Sequence, residues 1–174
     1  SARQDADKAE LEKLAEETPV VLLATGDPMH YGIGATLARH FGADEMLVLP
    51  AVSAFSLAAA RLGWALQDVD CITLHGRPVS KLALSLAPGR RILAYTSDAG
   101  TVREAAELLA AKGYGASRLT VLEHMGGADE RRVDLTVEQG KRHRGSDFNT
   151  LAIESIADAD CQVLPTIPGL PDDA

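Results

Sequence analysis

The sequence predicts an α/β protein with largely parallel strands. Three observations point there. Short apolar runs recur at residues 20–24, 46–49, 71–74, 91–95 and 119–123. Helix-forming stretches rich in Ala and Leu separate them, most closed by Gly or Pro. The runs are continuously apolar rather than alternating, which suits strands covered on both faces.

Residues 5–17 read as a helix rich in Ala, Leu, Glu and Lys, with Asp5 and Asp7 placed well for its N-terminal end. Pro19 stops it, and residues 20–24 (VVLLA) form the first strand. A glycine-rich turn follows over residues 25–34, then a helix over 35–41 that ends at Gly42. Residues 46–49 form a strand halted by Pro50. Ser53 caps a helix that reaches Leu62, and Gly63 closes it. Residues 71–74 make the third strand and 79–86 a helix. Pro88-Gly89 turns the chain into a fourth strand at 91–95. A helix over 101–112 and a strand over 119–123 come next. Short strands are expected at 134–136 and 151–154, and a Pro- and Asp-rich linker over 161–174. A lobe boundary is expected near residues 67–70, giving lobes over 1–68 and 69–160.

Composition narrows the function. Of 174 residues, 46% are hydrophobic, enough for a packed core, but only 4% are aromatic, so that core is aliphatic. The scarcity of rings disfavours a single-strand nucleic-acid binder, which needs stacking platforms. A net charge of −8 repels nucleic-acid backbones and anionic membranes, so neither is an expected partner. Cys71 and Cys161 form no CxxC pair, which disfavours a disulfide scaffold or a zinc knuckle. No apolar run is long enough for a membrane span and no leader is visible, so the expected compartment is the cytoplasm.

Several predicted strand ends are small, polar or glycine-containing: residues 25–28, 50–54, 75–77, 96–98 and 123–127. Ligands of open α/β sheets bind beyond the carboxyl ends of the strands. At any single loop, plain turn formation is the favoured account of the same Gly and Asp residues, and the recurrence across loops is what points to a ligand. Gly26-Asp27-Pro28 is the sharpest signal, because Gly permits close backbone approach and Asp27 can accept hydrogen bonds from a ligand. It matches neither a P-loop nor GxGxxG. The five histidines show no HExxH spacing, which leaves metal: none as the expectation. Ser53 and Ser97 lack a GxSxG elbow. Asp27, Asp98 and Glu123 are candidate carboxylates of unknown separation. Arg77, Arg131, Arg132, Lys141 and Arg142 form a basic minority. Lys141 and Arg142 read as a solvated face, whereas Arg77 follows a strand directly.

Four segments in register resemble the tetrapyrrole methylase family: VLLATGDPMHYGIG (21–34), LPAVSAFSLAAARL (49–62), TLHGR (73–77) and VLEHMGGADER (121–131). Their order and spacing are most similar to the cobalamin-pathway branch that methylates C5 of a precorrin, precorrin-6B. The resemblance covers about residues 20–154. It implies a two-lobed fold with mainly parallel sheets, S-adenosyl-L-methionine between the lobes, a precorrin tetrapyrrole substrate and a homodimer. Carried over by position, Thr25, Gly26, Asp27 and His30 contact the cofactor, as do Ser53, Ala54, Thr96 and Met125. Arg77 and Arg131 are the expected partners of the substrate's carboxylates.

Family members begin with a strand and a glycine-rich GxGxG-type loop that this sequence does not contain, so the first lobe is expected to be incomplete. The two-activity members carry a further C-terminal decarboxylating methyltransferase domain, toward which residues 161–174 would lead. Two other readings remain open. One is a non-catalytic dimerisation or tetrapyrrole-binding module. The other is a family member that methylates another precorrin carbon or acts in diphthamide formation.

Overall fold

The computed structural model describes residue 13 and residues 18–161. The helix expected over 5–17 and the linker over 161–174 lie outside the described residues, except for Lys13 and Cys161. The chain divides into two compact units, Ser1–Ala51 and Val52–Ala174.

In the first unit, α1 (Ile33–Leu37) is the helix of the described residues between 18 and 51. It begins two residues before the expected start and is shorter than expected. The apolar runs 20–24 and 46–49 form no strand here, contrary to expectation. Val21 is 81% exposed and Leu23 95%, so these side chains carry a strand signature without a covering layer. The physical reason is pairing. A strand is stabilised by ladder partners, and neither run has one among the described residues of this unit.

The second unit is built on a five-stranded sheet. Its strands are β1 (Val69–Thr73), β2 (Arg91–Tyr95), β3 (Arg118–Glu123), β4 (Arg131–Thr136) and β5 (Asn149–Glu154). Their order across the sheet is β1-β2-β5-β3-β4. β1 and β2 are parallel, whereas β5 runs antiparallel to both β2 and β3, and β4 antiparallel to β3. The α/β class is as expected, but the sheet is mixed rather than mainly parallel. β1, β2 and β3 do point the same way, as consecutive crossovers require. β5 then enters between β2 and β3 from the opposite end, and β4 folds straight back on β3.

Helices cover both faces. α2 (Ala54–Leu62) starts at Ser53, whose hydroxyl accepts from the Ser56 N–H at 3.1 Å, and stops at Gly63, held at φ 67°. α3 (Ala99–Ala111) is capped by Asp98, which accepts from the Thr101 N–H at 2.9 Å. The short α4 (Val137–Gly140) begins with a capping box between Thr136 and Gln139. The helix expected over 79–86 forms over residues 79–85 and is of the 3₁₀ type. Leu82 is its one buried side chain, so packing gives little reward for completing α-helical turns.

Strand alternation sorts the core into two layers. Ile92 and Ala94 of β2, Leu119 and Val121 of β3, and Leu151 and Ile153 of β5 face α3, where Val102, Ala105, Ala106 and Leu109 meet them. Leu93, Leu122 and Ala152 face the other way and pack against Phe55, Ala58 and Ala59 of α2. This second layer places α2 within the Val52–Ala174 unit, whereas the sequence expectation draws its boundary after residue 68.

Candidate functional site

Polar side chains and turn glycines collect at one end of the sheet. β1, β2 and β3 all finish there, and their carboxyl ends carry Thr73 to Arg77, Thr96 to Asp98 and Glu123 to Gly127. β5 begins there, with Asn149 opposite Glu123, and so does β4, with Arg131 opposite Glu123.

A hydrogen-bond chain crosses this edge. His75 Nδ1 lies 3.3 Å from the Thr96 carbonyl oxygen. A carbonyl only accepts, so Nδ1 carries the proton in that contact. The buried Thr96 hydroxyl donates toward the backbone and side-chain oxygens of Asn149, each at 2.9 Å. The Asn149 amide donates to the Ser146 carbonyl at 2.9 Å. The Ser146 N–H donates to Glu123 Oε1 at 2.9 Å, and Arg131 Nε donates to Glu123 Oε2 at 2.8 Å. Five segments that are distant in sequence are thus joined at one sheet end.

Glu123 is the anchor of that chain. Burial pushes its carboxyl up, but the Arg131 hydrogen bond, the Ser146 N–H and the charges of Arg131 and His143 outweigh burial and hold it below the usual carboxylate range. His143 is also buried, and its Nε2 sits 3.7 Å from Glu123 Oε1 without a hydrogen-bond partner. Gly145 fits between them; a Cβ there would collide with both side chains.

Immediately after Glu123, His124 adopts a left-handed backbone with φ 49°, and Gly126 one with φ 80°. The Gly126 N–H donates to Glu130 Oε2 at 2.7 Å, and Arg61 of α2 forks onto the same carboxylate, with Nη2 at 3.0 Å. These bonds hold the Glu130 carboxyl down at about 2. Met125 packs with the α2 layer. Ser53 and Ala54 lie at the start of α2, beside Tyr95, whose ring stacks on Phe55 with centroids 3.8 Å apart. Burial raises the Tyr95 phenol, against hydrogen bonds from the Phe55 and Ala54 backbone and the Ser53 hydroxyl.

In the first unit, Gly26 takes φ 65° and Asp27 forms a tight turn, its Oδ1 accepting from the Met29 N–H at 2.9 Å. The Ala35 N–H donates to the Pro28 carbonyl at 3.2 Å, which folds α1 back onto the loop. A Cβ at Gly32 would lie 2.6 Å from that carbonyl oxygen and one at Gly34 2.8 Å, so both glycines are dictated by close packing. His30 and Tyr31 stack with ring centroids 5.3 Å apart.

A family model for tetrapyrrole (corrin/porphyrin) methylases matches residues 1–140. The chain belongs to this family. Among curated relatives, it is 46% identical over 155 residues to a precorrin-6Y C(5,15)-methyltransferase [decarboxylating] of Sinorhizobium sp, covering 89% of this chain and 38% of that protein. It is 35% identical over 112 residues to a cobalt-precorrin-7 C(5)-methyltransferase of Salmonella typhimurium, covering 64% of this chain and 55% of that one. The chain therefore spans well under two thirds of these relatives' lengths. Among solved structures, it is 26% identical to a precorrin-6Y methylase from Archaeoglobus fulgidus, with a TM-score of 0.53 over 75% of this chain and 59% of that chain. A uroporphyrin-III C-methyltransferase from Thermus thermophilus, solved with S-adenyl homocysteine, shares the fold at 22% identity. Its TM-score is 0.66 over 86% of this chain and 72% of that chain.

For a tetrapyrrole methylase, the sequence-derived residues fall into two sets. Thr25, Gly26, Asp27 and His30 share the loop of the first unit. In the second, Ser53 and Ala54 open α2, Thr96 follows β2 and Met125 follows β3. Arg131 is there too, but its Nε is engaged by Glu123 while the side chain stays 58% exposed. Arg77 is exposed and follows Gly76, itself at φ 65°; it makes no ion pair with the described residues. His143, Gly145, Ser146 and Asn149 escape a sequence reading. Their one signal is the Gly145-Ser146-Asp147 turn, and nothing in it points to Glu123 some 20 residues away. Among the described residues no group of His, Cys, Asp and Glu converges to hold a metal ion, and no helix is long and apolar enough to cross a membrane.

Proposed function

We propose that this chain is the C5-methylating part of an S-adenosyl-L-methionine-dependent C-methyltransferase that acts on a precorrin, precorrin-6B, in cobalamin biosynthesis. The observation that carries the reading is the level of identity to the Sinorhizobium relative, sustained along most of the chain.

The residues fit such a cofactor. Asp27 uses one carboxylate oxygen to hold its own turn, and Oδ2 has no hydrogen-bond donor among the described residues. Gly26 presents backbone with no side chain in the way. Bound S-adenosylmethionine would supply an electrophilic methyl group. An electron-rich tetrapyrrole carbon is itself a nucleophile, so the protein's task is to align acceptor with donor and exclude water. Asp27 is a positioning group in this scheme. Thr96 contributes by fixing the edge, because its hydroxyl is engaged by Asn149. Met125 and Ala54 offer apolar contact. Arg77 and the exposed part of Arg131 meet substrate carboxylates. In the cell the chain acts in the cytoplasm, as a homodimer, joined to a C-terminal decarboxylating methyltransferase domain.

The test is calorimetric titration of S-adenosylmethionine into the full-length protein, with methylation of the precorrin followed by mass spectrometry. Micromolar binding and a methyl at C5, beside any that the C-terminal domain adds, are expected. A methyl found on a different carbon would reassign the substrate position.

A further inference from the structure

One feature of the second unit runs against the charge of the molecule. The chain carries a net charge of −8, yet Arg103, Lys141, Arg142 and Arg144 line a single open cavity of about 660 Å³ on the α3 face. That volume lies in the range of small-molecule sites. Glu138 neutralises part of the set, pairing with Lys141 at 2.8 Å and Arg142 at 3.4 Å. Arg103 and Arg144 have no ion pair with the described residues. Asp98 feels the charge of Arg103 but is engaged in capping α3.

The cations sit on a fixed frame. Gly140 packs so tightly on Ala106 and Leu119 that a Cβ would come within 2.9 Å and 2.7 Å of them. His143 is buried, and Gly145 is clamped against Glu123. The 141–144 run is therefore pinned on both sides and in the middle. Arg103 Nη1 donates to the His143 carbonyl at 3.2 Å, which sets its guanidinium beside the run. The backbone that carries the run is held, the Arg103 guanidinium is oriented by the His143 carbonyl, and planar guanidinium forks suit carboxylates. The cavity also adjoins the strand ends, since Arg103 reaches the His143 carbonyl and the His143 ring lies 3.7 Å from Glu123.

We propose that this cavity binds the carboxylate arms of a multiply carboxylated ligand, the acidic macrocycle on which the chain acts. The proposal rests on the methyltransferase reading given above and adds a substrate-holding site to it.

The test titrates uroporphyrin III, a stable multiply carboxylated tetrapyrrole, into the full-length protein by fluorescence. S-adenosylmethionine is titrated in parallel by calorimetry. The wild type is expected to bind the porphyrin with affinity that weakens as salt rises. Arg103→Gln/Arg144→Gln is expected to weaken it about tenfold with cofactor affinity unchanged. The exposed Arg144→Gln alone, which leaves the frame intact, is expected to weaken it about threefold. Unaltered porphyrin affinity in Arg144→Gln and in Lys141→Gln/Arg142→Gln would overturn the proposal, as would no porphyrin binding by the wild type. Displacement of porphyrin by tripolyphosphate at equal or lower concentration would assign the cavity to phosphate anions and overturn the carboxylate assignment. Loss of cofactor binding in the wild type, with porphyrin binding intact, would count against the methyltransferase reading and not against the cavity.

Discussion

Glu123 and Arg131 meet at 2.8 Å across the β3–β4 pair, a buried carboxylate holding a half-exposed guanidinium. The folded protein holds this carboxyl below its ordinary value of 4.5. A group depressed in this way stabilises the fold above its unfolded pKa, and the contribution disappears as pH falls through the folded value. Acidification below about pH 4.5 should therefore destabilise the wild type, and the Glu123→Gln variant should show a shallower decline over the same window. Denaturant unfolding at a series of pH values measures both slopes. Parallel slopes would mean that the pair contributes nothing.

Gly145→Ala should destabilise the second unit by about 1–3 kcal/mol, because its Cβ has no space beside Glu123 and His143. Chemical denaturation measures the loss. Where the clash with His143 persists, the double variant Gly145→Ala/His143→Ala recovers stability relative to Gly145→Ala; where His143 relaxes away, the loss is smaller and the double variant recovers nothing.

Removing the Ser53 hydroxyl takes away the cap that accepts from the Ser56 N–H. Ser53→Ala should cost about 1 kcal/mol, and Ser53→Asp should recover most of it by supplying another capping oxygen. Thermal unfolding distinguishes the two variants.

Glu130 offers a direct check on the 126–130 turn. Its carboxyl should titrate near 2 by NMR, and Arg61→Ala should move that midpoint up toward the ordinary 4.5. Both partners are accessible to solvent, so added salt should also move it upward. A midpoint that ignores Arg61 would mean the fork does not form in solution.

Local chemistry explains which parts of the fold could be read from the chain. Residues 91–95 are a strand in both the sequence and the structure, since Pro88-Gly89 opens it and Ser97-Asp98 closes it. The start of α2 was equally legible, because Ser53 acts on its own neighbours. Strand direction was not legible. An apolar run has the same pattern in either sense, so the antiparallel entry of β5 between β2 and β3 left no local trace. The runs 20–24 and 46–49 show the converse: the side-chain pattern is present, and among the described residues the ladder partner is not. At the site, Glu123 was visible as a strand-end carboxylate. Its role as an anchor was not, because His143, Gly145 and Ser146 reach it from a distant segment whose sequence resembles an ordinary basic loop.

The account stands on the cofactor more than on any other claim. Calorimetric titration of S-adenosylmethionine into the full-length protein and its Asp27→Ala variant tests it most directly. The account predicts micromolar binding by the wild type and, at the site of this chain as distinct from that of the C-terminal domain, at least about tenfold weaker binding by the variant. No measurable binding by the wild type would contradict it, and equal affinity in the two proteins would remove Asp27 from the site.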